Sequence, residues 1–326
     1  MTNSWLRAGA PPKPRDLLRF GPVIGFVGLF VFFSLATSTF LSAANLRSVL
    51  VNHFSILGIA SLGMTLVIAA GGIDLSIGTA MDMASLGFIE VLAVGGSTMA
   101  ALATGVAAAL AVGVVNAVLV ARLRITPFLA TLGTLFIGQS VEQLATGGGQ
   151  PIYLVAGHPL AIFNAIGTGI VADVPVALWI AAGAIAGFFV LLGWTRLGRR
   201  VVVLGAGPGV ARYTGLPVRR DTALVFIAAA GICGVAGIVS SATIRSYVPL
   251  AGNAYLLDAI GATFIGTTLG RDGRPRIAGT LLGVLLLSIV KNGLLLIGWT
   301  FEWQQVGTGI LIFLVLAVSF GHRREA

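Results

Sequence analysis

An interrupted apolar run sets the strongest limit on the fold of this chain. Residues Ile56–Leu86 read ILGIASLGMTLVIAAGGIDLSIGTAMDMASL, with a break at Gly71 and Gly72 followed by the acid Asp74. Two adjacent glycines permit a positive φ and a sharp reversal of the chain. Asp74 or Ser76 can accept the free N–H groups of the helix that restarts after the break. In a membrane, a helix break and a charge are tolerated only against other protein or a water-filled path.

Two interpretations of this stretch remain open at the level of sequence. In the first, it is a broken-helix hairpin at membrane depth, spanning Gly71–Ser76, beside whatever moves through the protein. In the second, it is a tight turn just outside the bilayer and Asp74 is an ordinary helix cap.

The composition indicates a protein whose surface faces lipid. The chain has 326 residues, of which 57% are hydrophobic and 10% are charged, whereas soluble domains have about 25% charged residues. No polar stretch is long enough to form a soluble domain. We therefore expect one transmembrane domain over residues 20–320, between a cytoplasmic N-terminal tail (1–19) and a cytoplasmic C-terminal tail (321–326).

The net charge of +9 does not indicate nucleic-acid binding, because the basic residues fall in short clusters between apolar runs. Such clusters mark cytoplasmic loops. A count of apolar runs then predicts an all-α polytopic membrane protein with about ten transmembrane helices and both termini inside. The first run is longer than the ~7–15 residues of a signal-peptide core, so we expect it to be retained. The predicted spans are Phe20–Leu41, His53–Ala70, Leu75–Val94, Thr98–Val120, Phe128–Thr146, Val174–Trp194, Thr222–Thr243, Leu256–Leu269, Ile277–Ile297 and Val306–Phe320.

This topology places every basic cluster on one side, and it places the segment Gly147–Asp173 outside, with room for a short re-entrant helix. Asn45–Asn52 is expected to be a short polar link. Small residues within the spans, in sets such as Gly105/Ala109/Gly113, Gly183/Gly187 and Gly231/Gly234/Gly237, are expected to allow close helix packing.

Several motifs together resemble the permease subunits of ribose-type ABC sugar importers, within the branched-chain amino acid/ribose-type permease superfamily. They are the run Leu62–Gly78, which contains GGIDLS, then NAVLVARLRITPFLATLGT at Asn116–Thr134, GGGQPIY at Gly147–Tyr153, LDAIGATFIG at Leu257–Gly266 and the glycine-rich Gly279–Gly283. The resemblance implies a type II-like importer permease of the bacterial inner membrane that translocates a sugar or sugar-like solute.

The resemblance also implies partners. They are a second permease copy (identical or homologous), a soluble sugar-binding protein outside, and a separate ATPase subunit that docks below. No cofactor is expected on this chain itself, because it has no GxxxxGK[ST] loop to hold ATP phosphates. Neither enzymatic activity nor a metal site is expected, since the three histidines and the single cysteine are scattered.

The resemblance places the family's ATPase-coupling segment at about 205–220. From the residues, Gly205–Arg220 is expected to form a short amphipathic cytoplasmic helix in which Val210, Ala211 and Tyr213 are buried. The alternative is a basic loop with no docking role. The candidate coupling residues are Gly205, Gly207, Arg212, Tyr213, Gly215, Arg219 and Arg220.

Polar residues inside the spans supply the candidate substrate path. Asp74, Asp82 and Glu90 share one helix face and should face a cavity or protein, because acids facing lipid are costly. The two amides Gln139 and Gln143 suit a polyhydroxylated solute, and equally suit hydrogen bonds between helices. The candidate set is Asp74, Ser76, Asp82, Glu90, Asn116, Gln139, Gln143 and Asp258, with Gly71 and Gly72 at the helix break.

Two further roles stay open. Asn116 is expected to make an interhelical hydrogen bond, and Lys291 needs an acidic partner such as Asp258 or Glu302.

The broken helix and the intramembrane acids also fit a stand-alone secondary transporter of a small polar solute.

Overall fold

The computed structural model describes residues 21–154, 161–213, 215–268 and 273–321. The predicted N-terminal tail and residues 322–326 of the predicted C-terminal tail lie outside this part. The described helices are α1 (Gly21–Ala36), α2 (Ala43–Ala69), α3 (Ile77–Ala93), α4 (Thr98–Arg122), α5 (Pro127–Ala145), α6 (Ala161–Thr168), α7 (Val176–Trp194), α8 (Arg196–Gly205), α9 (Pro208–Tyr213), α10 (Val218–Ile244), α11 (Gly252–Thr268), α12 (Ile277–Leu296) and α13 (Phe301–Gly321). Four short strands accompany them: β1 (Ile152–Tyr153), β2 (Ile170–Val171), β3 (Val174–Pro175) and β4 (Ser246–Tyr247).

The chain is therefore a mostly helical, multi-pass membrane protein, as its composition predicts. Five of the described helices (α2, α4, α7, α10 and α12) are both long and apolar enough to cross a membrane. Each of the ten predicted spans overlaps one described helix of 16 residues or more. A helix of about 20 residues matches the ~30 Å hydrocarbon core of a bilayer.

Helix α10 lies at the centre of the bundle and packs against α2, α3 and α4. Glycines make these crossings close. A Cβ on Gly237 would lie 2.1 Å from the carbonyl oxygen of Met81 in α3, and one on Gly113 would lie 2.8 Å from the Cβ of Ala230. Backbones that approach this closely gain van der Waals contact, which drives association of helices in lipid.

For one set of small residues, the predicted packing is not met within the described chain. A Cβ on Gly183 or Gly187 would meet nothing within 4 Å, because both glycines lie on the outward side of α7. That helix carries exposed apolar side chains, Trp179, Phe189 and Val190 among them. An exposed apolar face of this kind is typical of contact with lipid or another membrane subunit.

The predicted polar link Asn45–Asn52 is also wrong, because this segment is part of α2. Ser42 caps the helix by accepting the backbone N–H of Asn45 at 3.2 Å. The side-chain amides of Asn45 and Asn292 then bond each other in both directions at 2.9 Å. The two amides therefore satisfy each other between α2 and α12. Because these polar side chains have partners, α2 can begin at Ala43, before the apolar run that starts at Ile56.

The segment predicted to lie outside contains a short helix, as one alternative suggested, and two small antiparallel pairings. Strand β1 pairs with β4, with Ile152 opposite Tyr247, and β2 pairs with β3. Helix α6 packs on α10 and buries Phe163 completely. This segment therefore covers one end of α10.

Candidate functional site

The helix break lies where the sequence predicts it. Helix α2 ends at Ala69, Gly71 has φ +86°, and α3 begins at Ile77. The flanking helices do not pack against each other as a hairpin, however. Helix α2 lies mainly on α10, and α3 lies on both α4 and α10. The term hairpin is therefore wrong for the packing, although the break itself is present.

A buried polar network holds the break. The Ser76 backbone N–H and hydroxyl both donate to Asp74 Oδ1, at 2.8 and 2.6 Å. Asn116 Nδ2 donates to Ser76 Oγ at 2.6 Å, and Thr134 Oγ1 donates to Asn116 Oδ1 at 2.6 Å. The network thus ties the break to α4 and α5, and it confirms an interhelical bond for Asn116.

The residues of this network, which we call the break network (Asp74, Ser76, Asn116 and Thr134), are all buried. Asp74 is only 1% exposed, so in this conformation its described contacts are to protein. Its bond to the Ser76 N–H is a local cap of the restarting turn, and its burial is that of a group inside the bundle. Features of both interpretations of Asp74 are present together.

Asp82 lies within α3, eight residues after Asp74, and belongs to a second cluster. Its carboxylate accepts the backbone N–H of Gly252 at 2.8 Å, at a point where α3 and α11 nearly touch: a Cβ on Gly252 would lie 2.3 Å from the Gly78 carbonyl oxygen. The Glu142 carboxyl group lies within hydrogen-bonding reach of Asp82. The sequence predicts that Asp82 faces a cavity or protein, and its described contacts are to protein, as a bond between α3 and α11.

Glu142 completes this second cluster. Its Oε2 accepts the Tyr247 hydroxyl at 3.2 Å and the Leu250 backbone N–H at 2.8 Å. The cluster therefore joins α3 and α5 to the connection between α10 and α11. Sequence reasoning left Glu142 out of the candidate set, and its spacing of three residues from Gln139 gave no signal of a partner on α3.

The remaining candidates are spread over the bundle. Asp258 forms an ion pair with Lys291, which identifies the acidic partner expected for that lysine. Glu90 lies exposed near the end of α3, so the expectation that it faces a cavity or protein is not met within the described chain. Gln139 is partly buried and Gln143 exposed, both on α5.

A cavity of about 430 Å³ adjoins the break. Gly71 and Gly72 form part of its lining, and α5 contributes its first residue, Pro127. The arginines Arg124, Arg212 and Arg219 also line it, together with Gly205 and Gly207. The structure therefore brings the predicted helix break and several predicted coupling residues to one place.

The predicted single helix over Gly205–Arg220 is wrong. Gly205 is the last residue of α8, α9 covers only Pro208–Tyr213, and Arg219 and Arg220 lie in the first turn of α10. Positive φ values at Gly207 (+128°) and Gly215 (+72°) separate these pieces, since glycine adopts such conformations without steric cost.

The predicted burial of this segment is wrong at two of three positions. Ala211 is buried, but Val210 is 49% exposed and Tyr213 is 97% exposed. Helix α9 is too short to turn a full apolar face inward. It therefore presents apolar and basic side chains outward together.

Helix α8 is the element that sequence reasoning missed. Val201 and Leu204 are buried, and Val201 packs with residues near the end of α2, whereas Arg196, Arg199 and Arg200 line a shallow surface pocket. The apolar residues Leu197, Val201 and Leu204 recur at i, i+4 and i+7, which is the helical pattern. That spacing could have predicted the amphipathic helix.

The fold and this site define a class of protein: a polytopic membrane permease whose broken helix adjoins a basic surface segment. Residues 46–316 match the family model described as branched-chain amino acid transport system / permease component. The chain therefore belongs to this family, as the permease component of an ABC transport system and not as an enzyme.

Individual relatives cover nearly the whole chain. It is 32% identical over 308 residues to the ribose import permease protein RbsC of Bacillus subtilis (strain 168), covering 94% of each chain. It is 31% identical over 297 residues to RbsC of Escherichia coli (strain K12), covering 91% of this chain and 92% of that one. The galactofuranose transporter permease protein YtfT of Escherichia coli (strain K12) is 32% identical over 277 residues, covering 83% of this chain and 78% of that one.

Proposed function

We propose that this chain imports a sugar or sugar-like solute across the bacterial inner membrane, driven by a separate ATPase subunit. The observation that carries the proposal is the similarity to ribose import permeases over more than nine tenths of both chains. The galactofuranose permease and an autoinducer 2 import permease are also similar. A compact polyhydroxylated solute is thus the substrate class that we propose.

In this proposal the chain has ten transmembrane spans of type II-like arrangement and works with a second permease copy. The exposed outward face of α5 supports this arrangement. It carries Phe136, Ile137 and Leu144 as exposed apolar residues, with Gln143 beside them. A second copy against this face would enclose the amides of Gln139 and Gln143 in a shared path.

The ATPase is proposed to dock on the segment from α8 to the start of α10. Exposed Tyr213 and Val210 offer apolar contacts, and Arg212, Arg219 and Arg220 surround them with positive charge. A soluble binding protein would deliver solute to the opposite side, over the segment Gly147–Asp173. The break network is proposed to shape the path rather than to contact the solute, because its polar groups bond one another.

Reconstitution tests this function. The chain, its ATPase and a ribose-binding protein would be placed in proteoliposomes and the uptake of radiolabelled ribose measured. We expect uptake to require ATP and all three proteins, and the ATPase rate to rise with ribose-loaded binding protein. Uptake by the chain alone, driven by a proton gradient without ATP, would instead establish a secondary transporter.

A further inference from the structure

One contact joins the proposed ATPase-facing segment directly to the helix break. Gly205, at the end of α8, lies against the end of α2. A Cβ on Gly205 would lie 2.2 Å from the Ala69 carbonyl oxygen, and a Cβ on Gly71 would lie 3.3 Å from the Gly205 Cα. The two backbones therefore touch, with no side chain between them.

Helix α8 is held against the core on the same side. Its Val201 is buried in a cluster that includes Leu66 and Val67 of α2, and Leu204 is also buried. Arg200 also pairs with the fully buried Asp221 of α10, with 3.4 Å between Nη1 and Oδ1. Apolar contacts therefore hold α8 against the end of α2, and the ion pair ties α8 to α10.

The other end of this connection is exposed. Only Ala206 and Gly207 separate Gly205 from α9, which carries the exposed Val210 and Tyr213. A partner that moves α9 must therefore act on Gly205 through a two-residue turn. Within the break, Gly72 meets Pro127 at the start of α5, and Leu75 donates its N–H to Thr131 of α5 at 3.0 Å.

We propose that the backbone contact between Gly205 and Gly71 transmits movement of the ATPase-facing segment to the helix break, which makes Gly205 a positioning residue for transport. The inference rests on the proposed function and goes beyond it, because it assigns Gly205 to the contact with the break and not to docking of the ATPase. A backbone-to-backbone contact has no flexible side chain to absorb a displacement. Gly71 has a φ of +86°, which glycine adopts without steric cost.

The test compares Gly205→Ala with Gly193→Ala in the assembled transporter. Gly193 is a matched control because it lies in α7, outside the proposed docking segment, and a Cβ there would meet nothing within 4 Å. For each variant, three quantities are measured: copurification with the ATPase, ATPase activity stimulated by ribose-loaded binding protein, and ribose uptake per ATP hydrolysed. We expect Gly205→Ala to keep the ATPase bound and to lower uptake per ATP by about tenfold, the effect of overpacking at a tight contact. Gly193→Ala should match the wild type in all three.

Leu204→Ala is the second variant, for the case in which Gly205→Ala does not reach the membrane. It removes a buried contact of α8 without adding an atom, and the inference requires it to lower uptake per ATP as well. Normal uptake per ATP in Gly205→Ala overturns the inference. If Gly205→Ala does not reach the membrane, normal uptake per ATP in Leu204→Ala overturns it instead. Loss of ATPase copurification in Gly205→Ala, with copurification kept in the control, also overturns the inference, because Gly205 would then belong to the docking surface. If wild-type uptake does not need the ATPase, the proposed function fails, and that result is separate from both variant outcomes.

Discussion

Asp74 and Asp82 lie eight residues apart on one stretch, yet they bond to different parts of the bundle. Asp74 bonds the Ser76 backbone and hydroxyl within the break, and Asp82 bonds the Gly252 backbone of α11. Each carboxylate accepts a backbone N–H, and leaving a buried donor unpaired costs about 1–3 kcal/mol. Each acid therefore accepts a backbone N–H group at the start of a helix, where that group has no partner within the helix.

At the residue scale, Asp74→Asn separates charge from shape. Both Ser76 bonds go to Oδ1, so Asn can replace them, but a neutral acceptor bonds about half as strongly as an ionised one. We expect near-normal protein in the membrane and ribose uptake lowered about fivefold, the effect of roughly 1 kcal/mol. Uptake and membrane protein level are measured in cells lacking the native permease.

Glu302→Gln is the matched control for this change, because Glu302 is exposed at the start of α13 and, like Asp74, accepts a hydroxyl group two residues away, that of Thr300. Wild-type uptake by Asp74→Asn at equal protein level would reduce Asp74 to a local cap and remove it from the proposed substrate path.

At the element scale, the segment Gly205–Arg220, predicted as one helix, comprises the last residue of α8, all of α9 and the first residues of α10. Helix α8 faces the core through Val201 and Leu204, whereas α9 faces outward through Val210 and Tyr213. A short helix with an exposed tyrosine and basic neighbours is suited to binding a partner, since aromatic and arginine side chains contribute most at interfaces.

Reversing the charge of this surface should weaken docking. With Arg212→Glu and Arg219→Glu combined, we expect normal membrane insertion but copurification with the ATPase reduced at least about tenfold, because like charges across an interface cost several kcal/mol. Arg47→Glu combined with Arg245→Glu provides the control, since both of these arginines are exposed and lie outside the segment. Undiminished copurification and solute-stimulated ATPase activity in the first variant would count against the coupling role.

At the scale of the whole molecule, α10 organises the bundle, and the outer helices leave much of their own surface exposed. Helices α2 and α12 are mostly buried, while α4 and α7 are mostly exposed although both are strongly apolar. This distribution is that of a protein surrounded by lipid or by a second membrane subunit.

The predicted orientation can be tested by reporter fusions. Fusions after Gly149 and at the C-terminus should report an external and a cytoplasmic position, respectively, because basic clusters are retained on the inside. A fusion after Leu216, in the basic segment, serves as the cytoplasmic reference. An external C-terminus would contradict the ten-span arrangement, and a cytoplasmic Gly149 would contradict the placement of the segment Gly147–Asp173.

The sequence alone determined the helical membrane class, the regions of the ten long helices and the break at Gly71–Ser76. Apolar runs and twin glycines are local signals, and they act whatever the rest of the chain does. The permease family was also predictable, since its motifs lie along the printed sequence.

Only the tertiary structure decided which polar groups meet. Asn116 joins Ser76, Glu142 joins Asp82, and Lys291 joins Asp258 across separations in sequence of about 30 to 60 residues, set by how helices cross. The tertiary structure also decided that Gly205 touches Gly71. A glycine in the sequence indicates that another backbone can approach closely, but it does not indicate which backbone that is. Pairings of this kind depend on the rotation and crossing of whole helices on α10, and local sequence patterns do not predict them.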